Sequence, residues 1–315
     1  MRKLLSIVAP MYNEEALARE YFETTVESLK CISDRYDIEI VLVNDGSTDN
    51  TLCVLNELHN ENSSVATVVN LTRNFGLEGA VKAGLTVATG DVVVVMDSDL
   101  QDPPSIIVQM IAHFEEGCDV VVAKRSKREN DSMFKRLTAK FYYAMLASMS
   151  GNIEMEAEAA NYRLLSREAA DTLLSLTETN SVFRVIVPFI GMRTETIEYE
   201  RDKRFAGKTK FKMKNMIPYA LNSVTSISIK PLRCISLTIP ITMILFLFGI
   251  MGIIFFEGQW KFFAAVVIVL SVLFGMLFIC ISIIAEYLGQ IMIETKARPM
   301  SLIYQHKPCK NAKGN

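Results

Sequence analysis

Residues 92–104 read VVVVMDSDLQDPP, so four valines and a methionine run into Asp97, Asp99, Gln101 and Asp102. Carboxylates this close repel one another unless a positive charge sits between them. Mg2+ and Mn2+ prefer carboxylate oxygens and bind through one or two acids plus substrate phosphates. Two acids at i and i+2 of an extended segment point to the same side. Asp97 and Asp99 can therefore face one ion, with Ser98 between them. Gln101 adds a neutral oxygen at the same parity, provided the extended geometry persists. Asp102-Pro103-Pro104 then reads as a helix opening, with Asp102 as cap and Pro103 in the first turn. The competing reading is a solvated loop that only caps the helix, since a lone DxD is weakly specific.

A second stretch carries the opposite sign. Residues 201–214, RDKRFAGKTKFKMK, hold seven Lys or Arg against one Asp. Alone, this reads equally well as a solvated face. The net charge of −2 carries no signal for a nucleic-acid partner. Six cysteines, at 31, 53, 118, 234, 280 and 309, show no CxxC and no paired spacing. They fit free thiols in a reducing compartment rather than a disulfide framework or zinc site. His59, His113 and His306 cluster with nothing in the sequence.

The elements that must position these residues follow from periodicity. Short β-rich runs at Leu4–Ala9, Ile38–Val43, Val65–Leu71, Val92–Met96 and Val120–Ala123 alternate with helical patterns near 15–32, 49–60, 77–88 and 104–116. Continuous apolar strands separated by helices predict a mostly parallel α/β sheet covered on both faces. Ligands of such sheets bind beyond the carboxyl ends of the strands. Each strand is followed there by a polar or charged loop: PMYNEE, NDGSTDN, TRNFGLEGA, DSDLQD and KRSKR. One such loop is explained by turns and helix caps; five at one edge are not. Neither GxGxxG after the first strand nor GxxxxGK[ST] is present. Phosphates are left to a metal and basic side chains. Leu4–Ala9 is too short for a signal-peptide core, so this domain is expected not to be exported.

Two segments carry no charge: 23 residues between Arg233 and Glu257, and 24 between Lys261 and Glu286. A bilayer core needs about 20 apolar residues in a helix. Both qualify, and the five-residue loop 257–261 predicts a tight hairpin. Nine Lys or Arg lie in 201–233 and five follow the second span, against one in the loop. The excess of basic residues places both ends in the cytoplasm. Residues 214–233 read as an amphipathic interfacial helix. The expected organisation is a catalytic domain over 1–213, the amphipathic helix over 214–233, a transmembrane helix over 234–256, a loop over 257–261, a second transmembrane helix over 262–285 and a cytoplasmic tail over 286–315.

Together, PMYNEE, VNDGSTDNT, RNFGLEGAVKAGLTVATGD, MDSDLQDPP, AKRSKR and RFAGKTKF resemble family 2 glycosyltransferases of the GT-A fold. More narrowly they resemble polyprenyl-phosphate glycosyltransferases, the bactoprenol glucosyltransferases and dolichol-phosphate-mannose synthases. The likeness runs over roughly 1–215, and the two-helix tail resembles the bacterial membrane-anchored branch. It implies a hexosyltransferase of the bacterial plasma membrane, with a UDP-sugar donor and a polyprenyl phosphate acceptor. Glucose is the first expectation for the sugar and N-acetylglucosamine the next, with inversion at the anomeric carbon. Mg2+ or Mn2+ is the implied cofactor. Pro10, Tyr12, Asn13 and Glu14 would frame the nucleotide, and Asp45 would contact its uracil or ribose. Asp97, Ser98, Asp99 and Gln101 would hold metal and diphosphate. Arg125 would serve the sugar and acceptor pocket. Arg204 and Lys210, assisted by Arg201, would meet the lipid phosphate. Membrane lipid, a flippase and a downstream transferase are implied partners; a homo-oligomer stays open, as does the downstream pathway, cell wall or lipopolysaccharide.

One segment departs from the family. Where an Asp-x-Gly-Asp-Phe-Arg-Leu-like motif is common, residues 158–167 read EAANYRLLSR. Arg163 and Leu164 survive, Tyr162 replaces Phe, Ala160 replaces Gly, and Glu158 and Asn161 stand where Asp is expected; the resemblance implies that this segment lines the donor-sugar pocket, with Arg163 a candidate catalytic residue. This opens the identity of the sugar and leaves Glu156 and Glu158 as candidate acids or as a solvated helical face. A phosphate monoester has a second pKa near 6, so the nucleophile needs no strong base. Two other readings compete. A processive polysaccharide synthase requires a QxxRW-type motif and more spans. A non-catalytic sugar-nucleotide sensor or scaffold requires only the donor site.

Overall fold

The computed structural model describes residues 2–126, 159–176, 178, 182–200, 232, 235, 238–255 and 258–304. Seven strands form one sheet: β1 Lys3–Met11, β2 Tyr36–Asn44, β3 Ala66–Asn70, β4 Val92–Val95, β5 Val120–Arg125, β6 Ala159–Ser166 and β7 Thr194–Tyr199, in the order β3-β2-β1-β4-β6-β5-β7. All pairs are parallel except those made by β6, which runs antiparallel between β4 and β5. The helices are α1 Ala18–Leu29, α2 Thr51–Glu61, α3 Leu77–Val87, α4 Ile106–Glu115, α5 Arg167–Ser175, α6 Phe183–Phe189, α7 Thr238–Phe255 and α8 Gln259–Thr295.

The five strands and four helices expected over 1–125 are present, and the sheet is covered on both faces. Alternation along β1 explains the covering. Leu5, Ile7, Ala9 and Met11 enter one core, with Tyr21, Leu55 and Ile107 from α1, α2 and α4. Val8 enters the other, with Ala80, Ala169 and Phe183 from α3, α5 and α6. On that second face Gly84 of α3 lets the helix close on β1, since a Cβ there would lie 2.3 Å from Val8 Cγ1. β6 and β7 were not read from the sequence. β6 fills the gap between β4 and β5, and β7 adds the far edge.

Two units divide the chain: Met1–Asn215 with Arg298–Asn315, and Met216–Ala297. In the second, Thr238 Oγ1 of α7 lies 3.8 Å from Cys280 Sγ of α8. Among the described residues, one helical segment, Lys261–Thr295, is long and apolar enough to cross a membrane, with mean hydropathy 3.0 and none of that window buried. α8 runs ten residues past 285, the expected end of the second membrane span. α7 carries Pro240 within its described span Thr238–Phe255. The expected amphipathic helix at 214–233 lies outside the described residues, apart from Leu232. The tail is not a separate element: Ile303 bridges antiparallel to Leu71, next to β3.

Candidate active site

β1 pairs with β2 on one side and β4 on the other, so the chain's direction of winding reverses between β1 and β4. A crevice beyond the strand ends is expected at that point. The loops after β1, β2 and β4 meet there.

The loops after β1 and β2 are laced together. Asn13 sits at φ 53°, a left-handed conformation that Asn tolerates better than most residues. Its backbone N–H donates to Ser47 Oγ at 3.0 Å, and its Oδ1 accepts from the Thr48 N–H at 2.8 Å. The Glu14 N–H donates to Thr51 Oγ1 at 2.9 Å. Tyr12 stays 36% exposed at the rim. Asp45 is only 4% exposed, and its carboxylate accepts from the backbone N–H of Phe75 at 2.7 Å and of Gly76 at 3.0 Å. Burial pushes the Asp45 carboxyl up to about 6, against the opposing pull of those two amides and Arg73. Gly46 at φ 64° leaves room for the backbone of Arg73, which a Cβ would approach to 2.3 Å.

On the β4 side the acids sort into two groups. Asp97 and Asp99 are half-buried at the rim. Ser98, between them, is 7% exposed and donates from Oγ to the Pro10 carbonyl at 3.1 Å. Burial alternation, though not an extended backbone, which already turns at Ser98 and Asp99, runs through residue 99. It does not reach Gln101: Leu100 turns to φ 54°, and the Gln101 N–H folds back onto Asp99 Oδ1 at 3.2 Å. The parity argument for Gln101 is corrected on this point. Two rim carboxylates suit an Mg2+ or Mn2+ ion that takes its other ligands from phosphate and water. The protein offers no fuller cage, because no group of three or more His, Cys, Asp or Glu converges among the described residues.

Asp102 is not a helix cap, as the sequence suggested. It is 0% exposed, and α4 begins beyond it at Ile106. Its Oδ2 accepts from Arg125 Nη2 at 3.3 Å and its Oδ1 from Tyr199 Oη at 2.5 Å; Arg125 Nε also donates to Tyr199 Oη at 3.3 Å. Tyr199 packs edge-on against Tyr162, centroids 5.9 Å apart, and Tyr162 Oη donates to the Pro103 carbonyl at 2.9 Å. This cluster holds the β4 loop against β5, β6 and β7. Arg125 thus reaches the rim region through Asp102.

Arg163 does not lie at the rim. It pairs with Val95 and Val122 within the sheet, is 2% exposed, and donates from Nη1 to the Phe183 carbonyl at 3.1 Å. Its guanidinium also lies over the Phe183 ring at 5.6 Å. These contacts orient its side chain into the second core and toward α6. Asn161 on the same strand is 2% exposed. Arg201, Arg204, Lys210, Glu156 and Glu158 lie outside the described residues. Sequence reasoning missed Tyr199, Tyr162 as a packing partner, and the buried Asn44–Asn70 pair. The alternation of TETIEY in β7 was the available signal for Tyr199.

A family model described as Glycosyl transferase family 2 matches residues 6–185. The chain is 35% identical over 307 residues to the Escherichia coli (strain K12) prophage bactoprenol glucosyl transferase homolog, covering 96% of this chain and 99% of that one. It is 36% identical over 309 residues to the bactoprenol glucosyl transferase of Shigella phage SfX, with the same coverage of 96% and 99%. Among solved structures it is similar to glucosyl-3-phosphoglycerate synthase of Mycobacterium tuberculosis in complex with Mn2+, UDP and phosphoglyceric acid. That likeness has 18% identity and a TM-score of 0.47, covering 71% of this chain and 76% of that one.

Proposed function

The chain belongs to glycosyl transferase family 2, and on that premise we propose that it moves a hexose, glucose first, from a UDP-sugar to polyprenyl phosphate at a membrane surface. The observation that carries this reading is the sorting of the acids after β4. Asp97 and Asp99 keep to the rim at the switch point, while Asp102 is withdrawn and ion-paired. Relatives of matching length named as bactoprenol glucosyl transferases support the acceptor class and glucose.

In this reading the nucleotide lies across the loops of β1 and β2, framed by Tyr12, Asn13 and Glu14. Asp97 and Asp99 hold a divalent ion, which when bound offsets the charge developing on the diphosphate. An oxygen of the acceptor phosphate attacks the anomeric carbon, the bond from that carbon to UDP breaks, and UDP departs with the electron pair. The attacking oxygen is largely ionised near neutral pH, so Asn161 in place of an acid does not block the step. Arg204 and Lys210 would steady the acceptor phosphate, a positioning role. The chain leaves the α/β unit after Asn215 and rejoins it at Arg298. An intervening segment with both ends on one unit crosses a membrane an even number of times. That supports α7 and α8 as a membrane hairpin of a multi-pass protein, and the excess of Lys and Arg outside the 257–261 loop supports a cytoplasmic catalytic unit.

The test uses the full chain in detergent with Mg2+ or Mn2+, undecaprenyl phosphate and a panel of UDP-sugars. Transfer of glucose to the lipid is expected, and transfer of no sugar at all would favour a sensor or scaffold. Asp99→Ala should lower turnover roughly a thousand-fold while the fold persists. Undiminished turnover in that variant removes the metal assignment.

A further inference from the structure

After α8 the chain returns to the α/β unit and lays residues 300–304 along the sheet's outer edge. Ile303 bridges Leu71; the Thr72 N–H donates to the Leu302 carbonyl at 2.9 Å, and the Tyr304 N–H to the Asn70 carbonyl at 2.7 Å. The Met300 carbonyl sits on Gly79 of α3, where a Cβ would approach it to 2.8 Å. β3 is the edge strand, so covering it is one service this segment performs.

The hydrogen bonds do not stop at β3. Asn70, 8% exposed, accepts at Oδ1 from Nδ2 of Asn44, 2% exposed, at 2.8 Å. Asn44 Oδ1 accepts from the Ser47 N–H at 3.2 Å. Ser47 Oγ accepts from the Asn13 N–H, and Asn13 Oδ1 from the Thr48 N–H. A run of bonds therefore leads from Tyr304 through two buried amides to both loops that frame the crevice. Immediately past Thr72 lies the loop whose Phe75 and Gly76 amides Asp45 holds. Leu302, Ile303 and Tyr304 stay 50%, 43% and 46% exposed. These three side chains add little to the core, and their main-chain pairing with β3 attaches them.

We propose that residues 300–304 are a positioning strap: by pairing with β3 they hold the Asn70–Asn44 relay, and through it set the loops that receive the donor nucleotide. This rests on the nucleotide reading of the crevice given above. The strap touches no reacting atom. It sets donor affinity and leaves the chemical step alone.

Two variants of the full chain in detergent test this. Tyr304→Pro deletes the N–H that meets Asn70. Gly79→Ala crowds the Met300 carbonyl without melting α3, but a Cβ there also comes within 2.9 Å of Phe75 Cβ, so only a loss shared with Tyr304→Pro is assigned to the strap. Both should weaken UDP binding by calorimetry roughly fivefold, a coupling of ordinary size. The turnover rate at saturating UDP-glucose should stay within about twofold, and amide exchange at Thr72, Ser47 and Thr48 should quicken together. Faster exchange at Thr72 with unchanged UDP affinity would reduce the segment to edge cover and overturn the proposal. Unchanged exchange at Thr72 in both variants overturns it too, because the segment then does not pair with β3. A wild-type protein that binds no UDP defeats the nucleotide reading instead. The strap is then judged by whether exchange at Ser47 and Thr48 still follows its release.

Discussion

The two flanks of the β1–β4 crevice each bury an aspartate, and they do so by different means. On the β2 flank Asp45 is met by the amides of Phe75 and Gly76, which belong to one loop close in space. On the far flank Asp102 is met by the side chains of Arg125 and Tyr199, carried by β5 and β7. Amide contacts shape a local loop, while burial raises the acid's pKa to about 6 against their pull. Contacts from a guanidinium and a phenol join strands that are distant in sequence. The first flank is suited to fitting a ligand, the second to fixing the ground on which Asp97 and Asp99 stand.

Three measurements can break or sharpen this contrast. Asp102→Ala should have the largest effect, about 3–5 kcal/mol of stability, because it leaves the Arg125 guanidinium without its buried partner. Denaturant unfolding in detergent reads this, and a loss below about 1 kcal/mol would erase the distinction between the flanks. Tyr199→Phe keeps the edge-on contact with Tyr162 and removes one hydrogen bond to the carboxylate. About 2 kcal/mol should go, with UDP affinity unaltered.

The smallest effect concerns pH. The folded value for Asp45, about 6, lies above its ordinary 3.8. Asp45 therefore binds its proton more tightly folded than unfolded. Its contribution to stability is complete below the ordinary value and is lost as pH rises through the folded one. Thermal midpoints compared between about pH 4 and about pH 7 should fall with rising pH by more in the wild type than in Asp45→Asn. Parallel curves for the two proteins would mean that burial does not leave Asp45 titrating as described.

Legibility in the sequence followed the range of the interactions. The first five strands and first four helices were readable because apolar periodicity is a local property. Asp97 and Asp99 stood out because their spacing just past a strand is local as well. The parity argument for Gln101 failed on one backbone angle, the left-handed turn at Leu100. Asp102 looked like a cap because its partners stand 23 and 97 positions further along the chain. Arg163 was read from a motif, and a motif does not say whether an arginine faces a crevice or a core. The strap escaped notice because nothing in Met300–Tyr304 distinguishes an edge-pairing segment from a tail.

By itself, the amino-acid sequence determined the α/β alternation, the acids at the end of β4 and the uncharged runs that follow the α/β unit. These depend on near-neighbour spacing and on the solvation of side chains, which the chain carries wherever it goes. Only the tertiary structure decided which acid is withdrawn, which arginine is buried, and where the segment after α8 comes to rest. Each of those outcomes turns on a partner brought close by folding, and the energy of a buried charge or amide is set by the partner it meets.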